Sequence, residues 1–430
     1  MRHIITAFMA IIVFTAAILC GCSVSEAEKR FSEGTSINGV DVSGLNRAEA
    51  KEKLDGELKA QLSEIEYSIN TGDETVKLKA EELGISFDTD AAIESGIENG
   101  GEIKAQLALN EQKARECLKS VSEKFTKAAV EAYAEYDSCG EFKFYKAETG
   151  SKPDIDAIID SLKASLTSSK SETLIAKMTD IAPSGTTYEE LVENNSVIAE
   201  FTTYYDHSPY NAKNRVKNIV KAAELVNGKR LMPGEKFDTN AVLGDRNGKN
   251  GWFKAPGIRD GKYAQEYGGG VCQVSTTLYN AALLANLEIV ERTHHSWPIG
   301  YVDIGRDATI STGGPNLIFA NNTDTPITVS AVTNDSDNSI TVRIFGKKPA
   351  GYAYTELSSK QTGTISAPKP EYVYDKSLSA GQYVKDRDAR NGKKAVTVRR
   401  FYDENGKLIK EETVTHDTYK AFAARILYGK

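Results

Sequence analysis

A chain of 430 residues is long enough for about two to four domains, each with a core of its own. Lysine and arginine number 53 against 60 acidic side chains, giving a formal charge of −7. That balance excludes a basic nucleic-acid surface, so no nucleic-acid partner is expected. Charge runs read as solvated faces, except for the basic stretch over 385–400, which suits contact with an anionic polymer.

In chain order, Met1, Arg2 and His3 make a short cationic start, and 4–19 is an apolar run. The run fits a secretory signal better than a membrane span, being near the short limit for spanning. It ends Leu19-Cys20-Gly21-Cys22-Ser23, which resembles a bacterial lipobox with Cys22 as the lipidated cysteine. Residues 1–22 are therefore read as a lipoprotein signal peptide. Cys20 is uncommon at its position, so plain signal cleavage or an uncleaved anchor stays open. Lipid chains at Cys22 would hold the protein firmly at the outer leaflet of the membrane, on its extracytoplasmic face. With Cys20 and Cys22 set aside, Cys117, Cys139 and Cys272 remain. The first two either pair or stay free, and Cys272 is then an odd thiol in an exported protein.

The polar stretch 23–33 reads as a tether, and 34–195 as an α+β region. A helix is expected over 47–60, with Asn46 as its cap and Glu49 completing a capping box. Strands follow over 65–69 and 75–78. An internal repeat is visible: Gly84 continues into an Asp-led helix at Asp88, and Gly150 into another at Asp154. Beyond 195, a strand over 197–205 precedes a helix over 215–226 with Ile219, Val220, Ala223 and Val226 on one face. Residues 244–251 form a loop, and strands are expected over 297–304, 317–320, 326–332 and 340–345. Residues 351–374 look like a linker, and 395–400 with 408–414 form a hairpin around Asn405-Gly406. The whole is a multidomain α+β protein.

The chemistry concentrates at Tyr267-Gly268-Gly269-Gly270-Val271-Cys272-Gln273. Val274, Leu278, Ala281, Ala282 and Ala285 recur at helical spacing after it, so Cys272 sits in the first turn of a helix. There the positive end of the helix dipole favours thiolate over thiol. Free N–H groups of that turn can stabilise an oxyanion. Glycines such as Gly270 permit a close approach of substrate. His294 and His295 are adjacent candidates for a base, with Asp303 and Asp307 behind them in the chain. Cysteine, imidazole and carboxylate are the ingredients of an activated nucleophile. Gln273 can supply oxyanion donors, while Ser275 and Thr276 satisfy helix-start groups or touch substrate. Arg292 and Arg306 can hold a substrate carboxylate, and Tyr267 stands beside the glycines as a candidate sugar platform. No metal-ligand cluster is visible, and no cofactor is expected.

These motifs, from Asn211-Ala-Lys-Asn-Arg215 through Met232-Pro-Gly-Glu-Lys-Phe237 and the cysteine core to Arg306-Asp-Ala-Thr309, resemble the VanW family over about 196–348. The family is named from a glycopeptide-resistance gene cluster, and some members are understood to be L,D-transpeptidases of peptidoglycan that use the motif cysteine. The resemblance puts the nucleophile at Cys272 and the base at His295, with His294 as the alternative and Asp307 as the orienter. It implies peptidoglycan stem peptides and glycan as partners. Asn316 departs from the family pattern, where aspartate is expected. By the same resemblance, 34–195 looks like a peptidoglycan-binding domain, 196–350 is a VanW domain with a cysteine helix on a β-rich body, and 375–430 is a small β module like a shortened five-glycine domain. The reading that follows is a wall-acting acyl transferase. The alternative is a non-catalytic wall-binding or assembly lipoprotein.

Overall fold

The computed structural model describes residues 29–168, 170–205, 212–259 and 262–430. Residues 1–22, read above as a signal peptide ending at Cys22, lie outside the described residues. The fold is mixed α+β and rich in small sheets, with eight helices among the described residues. It divides into two units. The first runs to Val130 and resumes over Thr149–Pro183; the second holds Glu131–Glu148 and Ser184–Lys430. Residues 131–148, which the sequence alone places inside 34–195, thus belong with the second.

In the first unit, the Asn46 side chain accepts the Ala48 and Glu49 N–H groups, and Glu49 reaches back to Asn46, closing the capping box of helix Arg47–Ser63. The repeated aspartates do the same local work. Asp88 accepts the Ala91 N–H and Asp154 the Ala157 N–H, each starting an eleven-residue helix. The two copies nevertheless bury different cores. Ile93 joins Phe31, Ile37 and Leu54, whereas Ile158, Ile159 and Leu162 join Tyr67, Ile69 and Leu83. Cys117 and Cys139 are free thiols.

The second unit is built on an antiparallel sheet of Ser196–Tyr204, Ser339–Gly346, Ile327–Asn334 and Lys229–Leu231. Its apolar residues, Ala199, Val329, Ala331, Val342 and Ile344, join one core with two helices, Ala212–Val226 and Val271–Leu284. The second of these is the cysteine helix, and every residue of it except Cys272 and Leu284 is buried. A helix enclosed on all sides must find partners for its polar side chains, because an unpaired buried hydroxyl or amide is costly. That requirement shapes the site below.

Two expectations fail here. Residues 297–304 form no strand; the chain over 292–317 follows an irregular path between Glu288–Glu291 and Ile318–Ala320. Residues 351–374 are no linker, since Tyr354–Ile365 is a twelve-residue strand paired with Gly392–Tyr402, which pairs in turn with Leu408–Tyr419. A hairpin of Lys254–Arg259 and Lys262–Tyr267, not foreseen from the sequence, leads directly into the glycines.

Candidate active site

Each glycine before the cysteine is fixed by a neighbour. A Cβ on Gly268 would stand 2.7 Å from Arg246 Cγ, and one on Gly269 would stand 2.5 Å from the Ala255 carbonyl oxygen. Gly270 caps the cysteine helix at φ 108°, and a Cβ there would meet Arg215 Cγ at 2.8 Å. The glycines therefore serve the protein's own packing as well as lining the cavity. Gly270→Ala combines a left-handed φ with a clash, and should lower unfolding free energy by about 2–3 kcal/mol in denaturant titration.

Their arrangement leaves Cys272 half-buried on a cavity of about 950 Å3. Its sulfur lies 3.4 Å from the Ile310 carbonyl oxygen and 3.6 Å from Thr309 Oγ1. The Val271 and Gln273 N–H groups donate to the Gly268 and Gly270 carbonyls. The Cys272 N–H, also in the first turn, has no carbonyl of its own helix to bond.

His295 is buried and bonded behind. Its Nδ1 lies 2.7 Å from Asp307 Oδ2, and its backbone N–H donates to the same oxygen at 2.6 Å. With Nδ1 so occupied, Nε2 is the ring nitrogen left for the sulfur. Asp307, 1% exposed, also accepts a hydrogen bond at Oδ1 from the Tyr419 hydroxyl. The charges follow from these contacts. Burial opposes ionisation of the Cys272 thiol, yet the hydrogen bond and charge of His295 outweigh it, bringing its pKa down to about 7. Burial likewise opposes the imidazolium, but Asp307 and Cys272 hold it, and its pKa rises to about 9. Asp307 is pushed up by burial and pulled down more strongly by His295, its N–H and Tyr419, to about 2. These contacts favour thiolate, imidazolium and carboxylate together between about pH 7 and about pH 9.

The other expected residues have partners of their own, although His294 and Gln273 also line the cavity. His294 turns its Nδ1 to the His295 carbonyl at 2.6 Å and packs its ring 4.6 Å from that of Tyr419. The Gln273 amide donates to Thr203 Oγ1 and the Tyr204 carbonyl, and accepts from Arg215 at 2.7 Å, so its side chain is no free oxyanion donor. Ser275 and Thr276 donate to the Ala308 carbonyl at 2.7 and 3.2 Å, and Thr276 accepts the Ala308 N–H. They strap the 306–309 segment to the helix and do not reach substrate. Arg292 donates to the Asp307 carbonyl and to Asp417 Oδ1, both at 2.7 Å. Arg306 bonds Asn280 Oδ1 at 2.8 Å and packs its guanidinium on Phe201. Both arginines are buried as struts, and neither lines the cavity. Asn316, where an aspartate was expected, donates to Asp238 and accepts the Asn240 N–H, away from His295.

Tyr267 does line the cavity, 44% exposed at its edge. Three further residues, Arg215, Arg246 and Tyr301, line it as well. Arg215 and Arg246 bring positive charge, and Arg246 is 9% exposed with one guanidinium nitrogen unpartnered among the described residues. Burial, and then the Cys272 charge, push the Tyr301 phenol well above its ordinary pKa, so it stays protonated, and its side chain shares a hydrogen bond with Thr276.

Residues 214–345 match the family described as VanW like protein, and residues 358–429 match the G5 domain. The chain carries a VanW-like domain followed by a G5 domain. Cys272, His295 and Asp307 all fall in the VanW-like domain, while Tyr419 belongs to the G5 domain. The chain is 40% identical over 134 residues to the protein YoaR of Bacillus subtilis, covering 31% of this chain and 43% of that one. It is 32% identical over 117 residues to the vancomycin B-type resistance protein VanW of Enterococcus faecalis, covering 26% and 42%. The chain thus spans less than half the length of these relatives. Among solved structures, the G5 domain of IgA1 protease matches 18% of this chain and 92% of its own at 22% identity, with a TM-score of 0.13. A mutant L,D-transpeptidase of Enterococcus faecium matches 50% and 75% at 8% identity, with a TM-score of 0.18. At those scores neither match establishes a shared overall fold.

Proposed function

We propose that the cavity is the site of a cysteine acyl transferase acting on peptidoglycan stem peptides, an L,D-transpeptidase. The observation that carries this reading is the Cys272–His295–Asp307 line, with a sulfur poised to ionise at a cavity wall. The Cys272 thiolate attacks the carbonyl of the third stem residue in a tetrapeptide donor. The oxyanion forms near the Cys272 N–H, a first-turn donor with no carbonyl of its own helix to bond. Collapse breaks the amide, His295 gives its proton to the departing amine, and D-alanine leaves. A side-chain amine of a neighbouring stem then attacks the thioester. His295 takes its proton, the new amide forms and the thiolate is regenerated. If Cys22 carries lipid, this happens at the outer leaflet beside the wall.

Incubation of the protein with disaccharide-tetrapeptide tests the reading, with cross-linked dimer and free D-alanine as the expected products. Monomer returned unchanged would reject it. Hydrolysed tripeptide without dimer would make the enzyme a hydrolase. A binding role has its own support, because Tyr372, Tyr383 and Tyr428 line an exposed recess on the C-terminal domain. In that reading the chain would bind wall sugars without turning them over.

The pH profile has a definite sign. Only the thiolate attacks, so the rate of acylation should rise as pH passes about 7, the Cys272 pKa. Only the imidazolium can protonate the leaving amine, so the rate should fall as pH passes about 9, the His295 pKa. A rate of D-alanine release that is flat from pH 6 to 10 would contradict the ion pair.

A further inference from the structure

We propose that the G5 domain is a working part of this catalytic site, with Tyr419 as the positioning residue that locks Asp307; the proposal rests on the catalytic reading above. Residues 292–307 carry both His295 and Asp307 but lie outside any named strand. The cysteine helix holds one side of them through Asn280 and Arg306, and the G5 domain holds the other. The Tyr419 hydroxyl donates to Asp307 Oδ1 and accepts the Gly305 N–H at 2.9 Å. Two residues earlier on the same strand, Asp417 accepts from Arg292, whose Nε in turn donates to the Asp307 carbonyl. On the adjacent strand, Thr397 donates to the Gly305 carbonyl at 3.0 Å. Gly305 is seated closely, since a Cβ there would stand 2.8 Å from Thr397 Oγ1.

These bonds divide the work of the carboxylate. Oδ2 takes both His295 contacts and Oδ1 takes Tyr419. A carboxylate held at one oxygen alone can swing about its Cβ–Cγ bond, and the imidazole would swing with it. Held at both, it fixes the ring plane and presents Nε2 to the sulfur. Tyr419 is fully buried, and none of Tyr419, Asp417 or Thr397 lines the cavity. Their influence on chemistry is therefore through Asp307 and not through contact with substrate.

The test uses the full-length protein with Tyr419→Phe, which keeps the ring and deletes the hydroxyl. Cys272 alkylation by iodoacetamide is followed against pH, alongside steady-state kinetics. In the wild type the alkylation midpoint should lie at about 7. The variant should move it upward by about one unit, because a loosened imidazolium holds the thiolate less well. It should lower kcat at least about tenfold with KM unchanged. Ile409→Ala, 51% exposed at the far end of the strand that carries Tyr419, should leave both readouts as they were. Thr397→Val should shift the midpoint in the same direction by less, and serves if the first variant fails to fold. An unmoved or lowered midpoint in folded variants overturns the proposal. Alkylation needs no substrate, so a wild type without transferase activity whose midpoint still shifts in Tyr419→Phe would sink the transferase and leave the positioning role standing.

Discussion

Cys272→Ala is expected to release no D-alanine and form no cross-linked dimer, a loss of at least about 10⁴-fold. The size follows from what remains. A thioester needs sulfur, and among the described residues no other thiol is at hand, since Cys117 and Cys139 lie outside the residues lining the cavity. His295 could at most activate water slowly. The same substitution should abolish the mass increase that a carbapenem leaves on the intact protein, because the strained β-lactam carbonyl takes the place of the stem-peptide carbonyl. Folding should survive, as one half-buried sulfur is removed and its packing costs about 1 kcal/mol. Retention of peptidoglycan by Cys272→Ala is compatible with either reading, but cross-linking that persists in this variant would end the catalytic one. Failure of the wild type to bond any β-lactam would turn the balance toward a binding lipoprotein.

The local part of this arrangement was legible in the sequence. Glycines before a periodic apolar run mark a helix start, and that start is where the structure puts Cys272. The Asn46 and Asp154 caps were visible for the same reason, as each acts within three residues of itself. Contacts across domains were not visible. Tyr419 is 112 residues from Asp307 and reaches it only through the register of strand Leu408–Tyr419 on Gly392–Tyr402. The strand expected over 297–304 failed because composition cannot tell a ladder from other restraints. Trp297, Ile299 and Tyr301 have strand-forming side chains, yet here they line a cavity. The arginines were misread for a related reason. Arg292 and Arg306 looked like free cations near a site, but their guanidinium groups satisfy carbonyl, carboxylate and amide oxygens in the interior. Asn280 escaped notice, and so did the strapping role of Thr276, because polar residues inside a buried helix have no periodicity of their own. Their role emerges only once the 306–309 segment lies against them.

Asp307→Asn should lower kcat by about 10³–10⁴-fold while leaving KM near its wild-type value. Asp307 touches neither the sulfur nor the cavity; it sets the state of the imidazole. The carboxylate accepts both the Nδ1 proton and the His295 N–H at one oxygen and the Tyr419 hydroxyl at the other. An amide offers one acceptor oxygen and one donor nitrogen, so either the Tyr419 bond or both His295 bonds, the Nδ1 one among them, must face an N–H group. If the Nδ1 contact does, the proton moves to Nε2 and the ring can no longer accept one from the incoming amine. If the Tyr419 contact does, two donors oppose each other in a buried place. Either way the imidazolium loses its countercharge, its pKa falls from about 9 toward the ordinary range, and the thiol loses its ion-pair partner. Stability gives a second readout. Asp307 titrates near 2 when folded and at an ordinary carboxylate value when unfolded, so its contribution is present above about pH 4 and is lost as pH falls toward 2. The variant should therefore be less stable than wild type by about 2 kcal/mol at pH 7, with the gap closing below pH 4. A gap that stays constant down to pH 2, together with unchanged kcat, would show that Asp307 neither carries this charge nor orients His295.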